Sequence, residues 1–398
     1  MKRLLLLCAL LPFVVSAQNS LNTNLLYHWE DTTLASSFMW DNVYNEIWGV
    51  YQDGREYAII GSTDGTHIFD VTNPAASSQV AYIPGGLQGT HVVHRDYHDY
   101  QGYLYIVCDE DNVAGDNTFQ IVDISDLPNS VSLVYESDTI LNTVHNIFID
   151  TTSARLYTTS GKVLSLENPA NPTLLYTTPD LYLHDMYVRN DTVYANDQMD
   201  GFKVYDFSMM SALNQTHVEL GALLTYPDAG YNHSGWLSTD GNYYVMADEN
   251  HGMKMKMIDM NDLSNMTVVS LFGSGIDSMS VPHNQIIHGN YVYTAHYHDG
   301  LYVHDISDPY NPALVAFYDT FDPDHHNSYM GAWGVYPFLP SGNILVSDMQ
   351  TGLYVFEIDY NGSTSIDEKE LNDLTLFPNP TKDVLHMQFE GEGLLKIF

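Results

Sequence analysis

The chain of 398 residues carries 50 Asp and Glu against 13 Lys and Arg, a formal net charge of −37, with 44% hydrophobic residues. Such a charge excludes nucleic acid and anionic membrane surfaces as partners, since both repel it, and favours cations or basic ligands. Two cysteines exclude a small disulfide-stapled fold, and the length permits a large core instead.

The elements follow in chain order. Lys2-Arg3, the apolar run Leu4 to Val15 and the small residues Ser16-Ala17-Gln18 predict a signal peptide over 1–18. The run is too short for a span of about 20 residues, and no later run is long and apolar enough, so no transmembrane segment is predicted. Cys8 lies inside the apolar run and gives no lipoprotein signal. Cys108 then remains as the one thiol of the exported chain. Its place beside Val107 on a strand predicts a buried thiol rather than a nucleophile.

Asn24 to Glu30 reads as a strand standing alone before a repeat. The repeat has a period of about 50 residues. Its motif starts at Asn45, Arg95, His145, His184, His233, His283 and Trp333, with one shorter interval before His184. Each unit continues with a β-rich, tyrosine-containing run such as Tyr103 to Val107 or Tyr291 to Thr294. An acidic or glycine turn and a third strand follow, as at Asp200-Gly201 and Asp299-Gly300. Several units then turn at Asn73-Pro74, Asn168-Pro169 or Asp308-Pro309 and end in a fourth strand. Four strands in each of seven units predict an all-β, seven-bladed β-propeller over 19–359. A linear solenoid is the other reading. The last unit lacks a fourth strand, so Asn24 to Glu30 is expected to close the ring against Leu353 to Glu357.

Beyond Tyr360 the composition shifts. Residues 360–373 read as a linker, and 374–398 as a fragment of a small β-sandwich domain, too short to bury its own core.

Asn45-Glu46-Ile47-Trp48-Gly49, Arg95-Asp96-Tyr97, His145 to Asp150 and Gly331 to Gly342 carry a resemblance to the choice-of-anchor B family, whose members bear LVIVD-type propeller repeats. The resemblance spans about residues 24–358. His94 departs from it, because that family usually has tryptophan before Arg-Asp. The family name describes varied cell anchors and implies no reaction. Leu376-Phe377-Pro378-Asn379-Pro380 and Asp383-Val384-Leu385 resemble the sorting domain of the type IX secretion system. That resemblance implies the secretion machinery as a partner, and an extracellular or outer-membrane-surface location.

The innermost strand of a propeller blade lines the central channel, so the motif columns are the candidate site. One column holds His145, His184, His233 and His283, and the next holds Glu46, Asp96 and Asp185. Neighbouring strand residues face opposite sides, so only one column is expected to face the channel directly. Acidic turns at Asp109-Glu110-Asp111, Asp248-Glu249 and Asp348, with His296 and His298, are expected at one channel end. Imidazoles suit transition metals and carboxylates suit calcium or magnesium, so a divalent metal at these seven column residues is one reading. The other is structural: a histidine at a strand start can bond the next blade's backbone and lock the ring. The tyrosines, Trp236 and Trp333 are expected to pack between blades rather than stack on sugars. Asp322 to Asn327 reads equally as a metal loop or a solvated turn. No phosphate loop and no Gly-x-Ser-x-Gly elbow is present. The functional expectation is an extracellular protein binding a protein or glycan ligand. The alternative is a metal-dependent extracellular hydrolase with its site at the channel mouth.

Overall fold

The computed structural model describes residues 20–110, 118–178, 181–323, 325–362, 375–377 and 386–388. The signal-peptide segment, Asp111, Asp324 and most of the sorting-domain motif lie outside the described residues. The chain divides into two compact units, Met1–Tyr360 and Asn361–Phe398. Within the second, Thr375–Phe377 pairs antiparallel with His386–Gln388.

The first unit is a seven-bladed β-propeller. Each blade is an antiparallel sheet of four strands in meander order. In blade 1 these are Tyr44–Gln52, Arg55–Ser62, Gly65–Asp70 and Ser78–Pro84. The innermost strands of blades 2 to 7 are Asp96–Tyr100, Ile147–Asp150, Asp185–Arg189, Asn232–Leu237, Asn284–His288 and Ala332–Tyr336. Each packs against the next, and that of blade 7 packs against that of blade 1, so the ring is closed rather than a solenoid.

Closure uses the expected N-terminal strand. Thr23–Trp29 pairs with Gly352–Ile358 as the outer strand of blade 7, with His28 opposite Tyr354. The chain also does something the sequence reading missed. Ser20–Leu21 pairs with Ala313–Tyr318, adding a fifth strand to blade 6.

The repeated β-branched and aromatic runs explain the core. Ile59, Ile68, Val122, Leu156, Val245 and Val303 are fully buried between blades, each contributing roughly 1.5–3 kcal/mol of hydrophobic stabilisation. Tyr57, Tyr105, Tyr157 and Tyr244 are buried as well, confirming that these tyrosines pack rather than wait for a ligand. Blade 3 keeps all four strands despite its shorter repeat. Its strands, Ile147–Asp150, Arg155–Thr158, Lys162–Ser165 and Thr173–Thr177, are short.

Candidate metal centre at the channel mouth

Both motif columns reach the channel, against the expectation that only one could. A β-bulge falls at the motif in blades 1, 5 and 7, and in blades 3, 4 and 6 the histidine lies just before the strand, outside its alternation. In blade 5, Asn232 opposes Asp248 and Ser234 opposes Ala247, leaving His233 as the extra residue. Trp333 is the extra residue of blade 7 in the same way. A bulge re-aims one side chain without turning its neighbour away. The first column therefore rings the mouth, and the second lines the interior below it.

The mouth is a closed ring of six aromatic side chains. Successive ring centroids are 4.1 Å apart for His94 and His145, 4.3 Å for His145 and His184, and 4.1 Å for His184 and His233. The ring continues at 4.4 Å from His233 to His283, 4.7 Å on to Trp333 and 5.7 Å back to His94. His145, His184, His233 and His283 stand where the sequence placed them. The blade 2 member is His94, not Arg95. Arg95 turns into the protein, where Nε donates to Ser62 O (2.9 Å) and Nη2 to Leu87 O (2.6 Å). Asn45 is also withdrawn, donating from Nδ2 to Val93 O at 3.1 Å.

Two groups of ligand atoms lie within 4.8 Å of one another and can coordinate a divalent metal: His94, Asp109 and His145, and His184, His233 and Glu249. The carboxylates come from turns between the second and third strands of blades 2 and 5. Asp109 Oδ2 is 2.5 Å from His145 Nδ1. Glu249 Oε2 is 3.8 Å from His233 Nε2, and the Tyr297 hydroxyl donates to its Oε1 at 2.5 Å. Two neighbours hold the first group in place. Glu110 Oε1 accepts the main-chain N–H of Val93 and of His94, and the buried Cys108 thiol donates to Oε2.

Blade locking leaves ligand atoms free here. His184 Nδ1 donates to His233 O (3.2 Å), and His283 Nδ1 to Trp333 O (2.5 Å), each tying one blade to the next. Donation from Nδ1 leaves the Nε2 lone pair of a neutral ring available, the second-sphere arrangement of metal-bound histidines. The Nδ1 atoms of His94 and His233 are buried without a hydrogen-bond partner, one in each group. His94 Nδ1 is 4.0 Å from Asp109 Oδ1, an orphaned nitrogen beside a carboxylate that fits a metal ion, whereas His233 faces Glu249 with Nε2.

The electrostatics favour ligand-competent rings. Burial, then the charge of neighbouring histidines, holds His94, His184 and His233 well below 6.5. Burial takes His283 down to about 3. His145 moves the other way: burial opposes its charge, but the Asp109 hydrogen bond and charge outweigh it. Burial pushes Glu249 up to about 7 against the Tyr297 hydrogen bond.

Glu46, Asp96 and Asp185 are not part of either group. They line a separate chamber of about 70 Å³ below the ring. Asp248 and Asp348 turn into their blades. Asp248 pairs with Lys256 at 2.6 Å, and Asp348 accepts from the Thr320 hydroxyl at 2.7 Å. His296 is 3.2 Å from Asp299 and His298 bonds Asn327 O, both away from the mouth. His94, Asp109 and Glu249 are thus the members that column spacing did not supply. His94 stands one residue before the motif column.

Above the ring lies a cavity of about 1130 Å³, walled by Phe38, Met39, Trp40, Met199, Tyr329 and Met349. No Lys or Arg is among the described residues that line it. Among the described residues no helix is long and apolar enough to cross a membrane.

The LVIVD repeat model matches residues 100–139 and 284–320, falling on blades 2 and 6. No curated protein matches the chain in sequence. Similar solved structures include one titled Structure of U3-55K, 10% identical, covering 85% of this chain and 98% of that one at a TM-score of 0.57. The RRP9 WD40 repeats are 11% identical, with 85% and 98% covered and a TM-score of 0.56. The Pseudomonas aeruginosa periplasmic gluconolactonase PpgL is 12% identical, with 80% and 93% covered and a TM-score of 0.58. At these identities the likeness establishes the propeller fold alone, and the chain is an LVIVD-repeat-containing seven-bladed β-propeller.

Proposed function

We propose that the protein is a metal-dependent extracellular hydrolase whose site is the imidazole-lined channel mouth. The observation that carries this reading is the pair of adjoining ligand groups, each of two imidazoles and a carboxylate, with a buried, unpartnered Nδ1 on one histidine of each. A zinc-type ion held there supplies Lewis-acid polarisation of a carbonyl and an acidified water. The protein's own part is positional. His94, Asp109 and His145, and His184, His233 and Glu249, hold the ions, and Tyr297 keeps the Glu249 carboxylate fixed. The apolar side chains of the cavity above would grip the substrate body.

A cavity without Lys or Arg in a strongly acidic protein disfavours anionic substrates. Uncharged esters or lactones with an apolar or aromatic portion fit better. The test is hydrolysis of a panel of neutral aryl and alkyl esters by chelator-treated and zinc-loaded protein. Activity that needs zinc and vanishes in a His184→Ala, His233→Ala variant supports the reading. Turnover unchanged by chelator contradicts it.

The choice-of-anchor B assignment and export by the type IX system belong to the same proposal. They rest on the motifs Gly331 to Gly342, Lys2 to Gln18 and Leu376 to Leu385. A second reading, a propeller binding a protein or glycan, draws on the exposed Phe38, Met39 and Met199 at the cavity rim, 77%, 69% and 75% accessible.

A further inference from the structure

We propose that the chamber beneath the imidazole ring is a second, independent cation site, for a hard divalent ion of the calcium class. Six consecutive blades each place one oxygen-bearing side chain on its wall: Glu46, Asp96, Asn146, Asp185, Ser234 and Asn284. Three carboxylates line it, with no Lys or Arg among the described lining residues. Charges so placed need a counter-ion or protons.

The chamber is built rather than incidental. Glu46 belongs to blade 1, yet Asn284 of blade 6 donates to its Oε2 at 2.9 Å. It reaches there across blade 7 because residue 334 is glycine; a Cβ at Gly334 would lie 2.1 Å from Glu46 Oε1. One oxygen of each carboxylate is fixed by a main-chain N–H: Ile47 to Glu46 (3.0 Å), Ile147 to Asp96 (2.7 Å) and Met186 to Asp185 (2.6 Å).

A further side chain points to a ligand. Gln285 is 2% exposed and lines the chamber. Its Nε2 donates to the Ser234 hydroxyl (2.8 Å), which itself donates to His283 O (2.5 Å). That chain of donors leaves Gln285 Oε1 buried with no partner. An amide oxygen, carboxylates and a hydroxyl are the donor set of calcium, which takes six to eight oxygens at about 2.3–2.6 Å.

Two features separate this site from the mouth. Its carboxylates are not among the groups whose ligand atoms lie within 4.8 Å of one another. An ion held here therefore draws part of its shell from amide oxygens, the Ser234 hydroxyl and water, a mixed oxygen shell that calcium accepts and four-coordinate zinc does not need. Aromatic rings line the far end, with Trp48 4.3 Å from His98, His98 4.9 Å from Phe148 and Phe148 5.8 Å from Trp236.

The test is calorimetric titration of chelator-treated, full-length protein with calcium chloride alone, in about 0.15 M salt to screen the acidic surface. Wild type is expected to bind one calcium ion more tightly than the surface does. Glu46→Gln and Asp185→Asn should each weaken it at least tenfold. Gly334→Ala, which changes no ligand, should do the same by displacing Glu46. The His184→Ala, His233→Ala variant should keep calcium while losing zinc. Thermal melting of every variant identifies any that fails to fold, and the folded ones decide. Absence of calcium uptake by wild type overturns the proposal. So does equal uptake by wild type and the folded chamber variants, which marks surface binding.

Discussion

Single side chains set the pH behaviour of the mouth. His94, His184 and His233 are neutral throughout the physiological range, so they do not limit metal binding. The competing protons sit on Glu249, raised to about 7, and on His145, raised above 6.5. A ligand must be deprotonated, so zinc affinity should be full above about pH 7. It should fall about tenfold per pH unit for each proton displaced below that. Glu249→Gln should flatten the dependence at its own group, by titration between about pH 5.5 and 8. Glu46 gives a stability prediction of opposite origin. Burial raises it from 4.5 to about 7, so the folded state holds its proton more tightly than the unfolded chain. Its stabilisation is complete below about 4.5 and is lost as pH rises to about 7. Melting of metal-free protein should show that decline, and Glu46→Gln should reduce it. At this scale the sequence was half legible. Period alone located four histidines. It could not show that the Ser62 and Leu87 carbonyls draw Arg95 away and leave His94 in the ring. Nor could it show that both columns reach the channel, because side-chain direction at an irregular strand start is not written in spacing.

At the scale of elements, two devices hold the site in place. The first is the N-terminal strand. Removing residues 20–29 strips the outer strand from blade 7 and the fifth from blade 6. The unpaired edge and the exposed inner face should lower the melting temperature by ten degrees or more, or prevent folding. An unchanged melting curve would show that this strand does not close the ring. The second device is the buried pair Lys256 and Asp248, both side chains fully inaccessible. Asp248 also accepts from the Tyr226 hydroxyl at 2.8 Å, fixing the turn that presents Glu249. Lys256→Met leaves a buried carboxylate unpaired and should cost about 3–5 kcal/mol in denaturant unfolding. Strand order, blade count and closure were all legible, since β-branched and aromatic runs alternate with turn residues at a fixed period. The pairing of Ser20–Leu21 with blade 6 was not. Two residues carry no periodicity, and their partner lies nearly three hundred positions away.

For the whole molecule, the closed ring converts a repeated motif into a layered channel: imidazoles at the mouth, oxygen donors below, aromatic rings at the floor. The acidic charge agrees with a cation-binding role and disfavours anionic ligands. Export forms its own prediction: a chain ending at Tyr360 should accumulate in the periplasm, and its normal appearance outside the cell would refute a sorting role for the tail. The fold was legible because seven copies average out local ambiguity, whereas the site arises from where those copies differ. The central claim is that the mouth binds a transition metal, and elemental analysis of protein purified without chelator tests it most directly. Zinc or a similar ion is expected bound to wild type and absent from a folded His184→Ala, His233→Ala variant. Metal-free wild type that takes up no added zinc, together with a destabilised double variant, would contradict it and leave the histidines with the locking role alone.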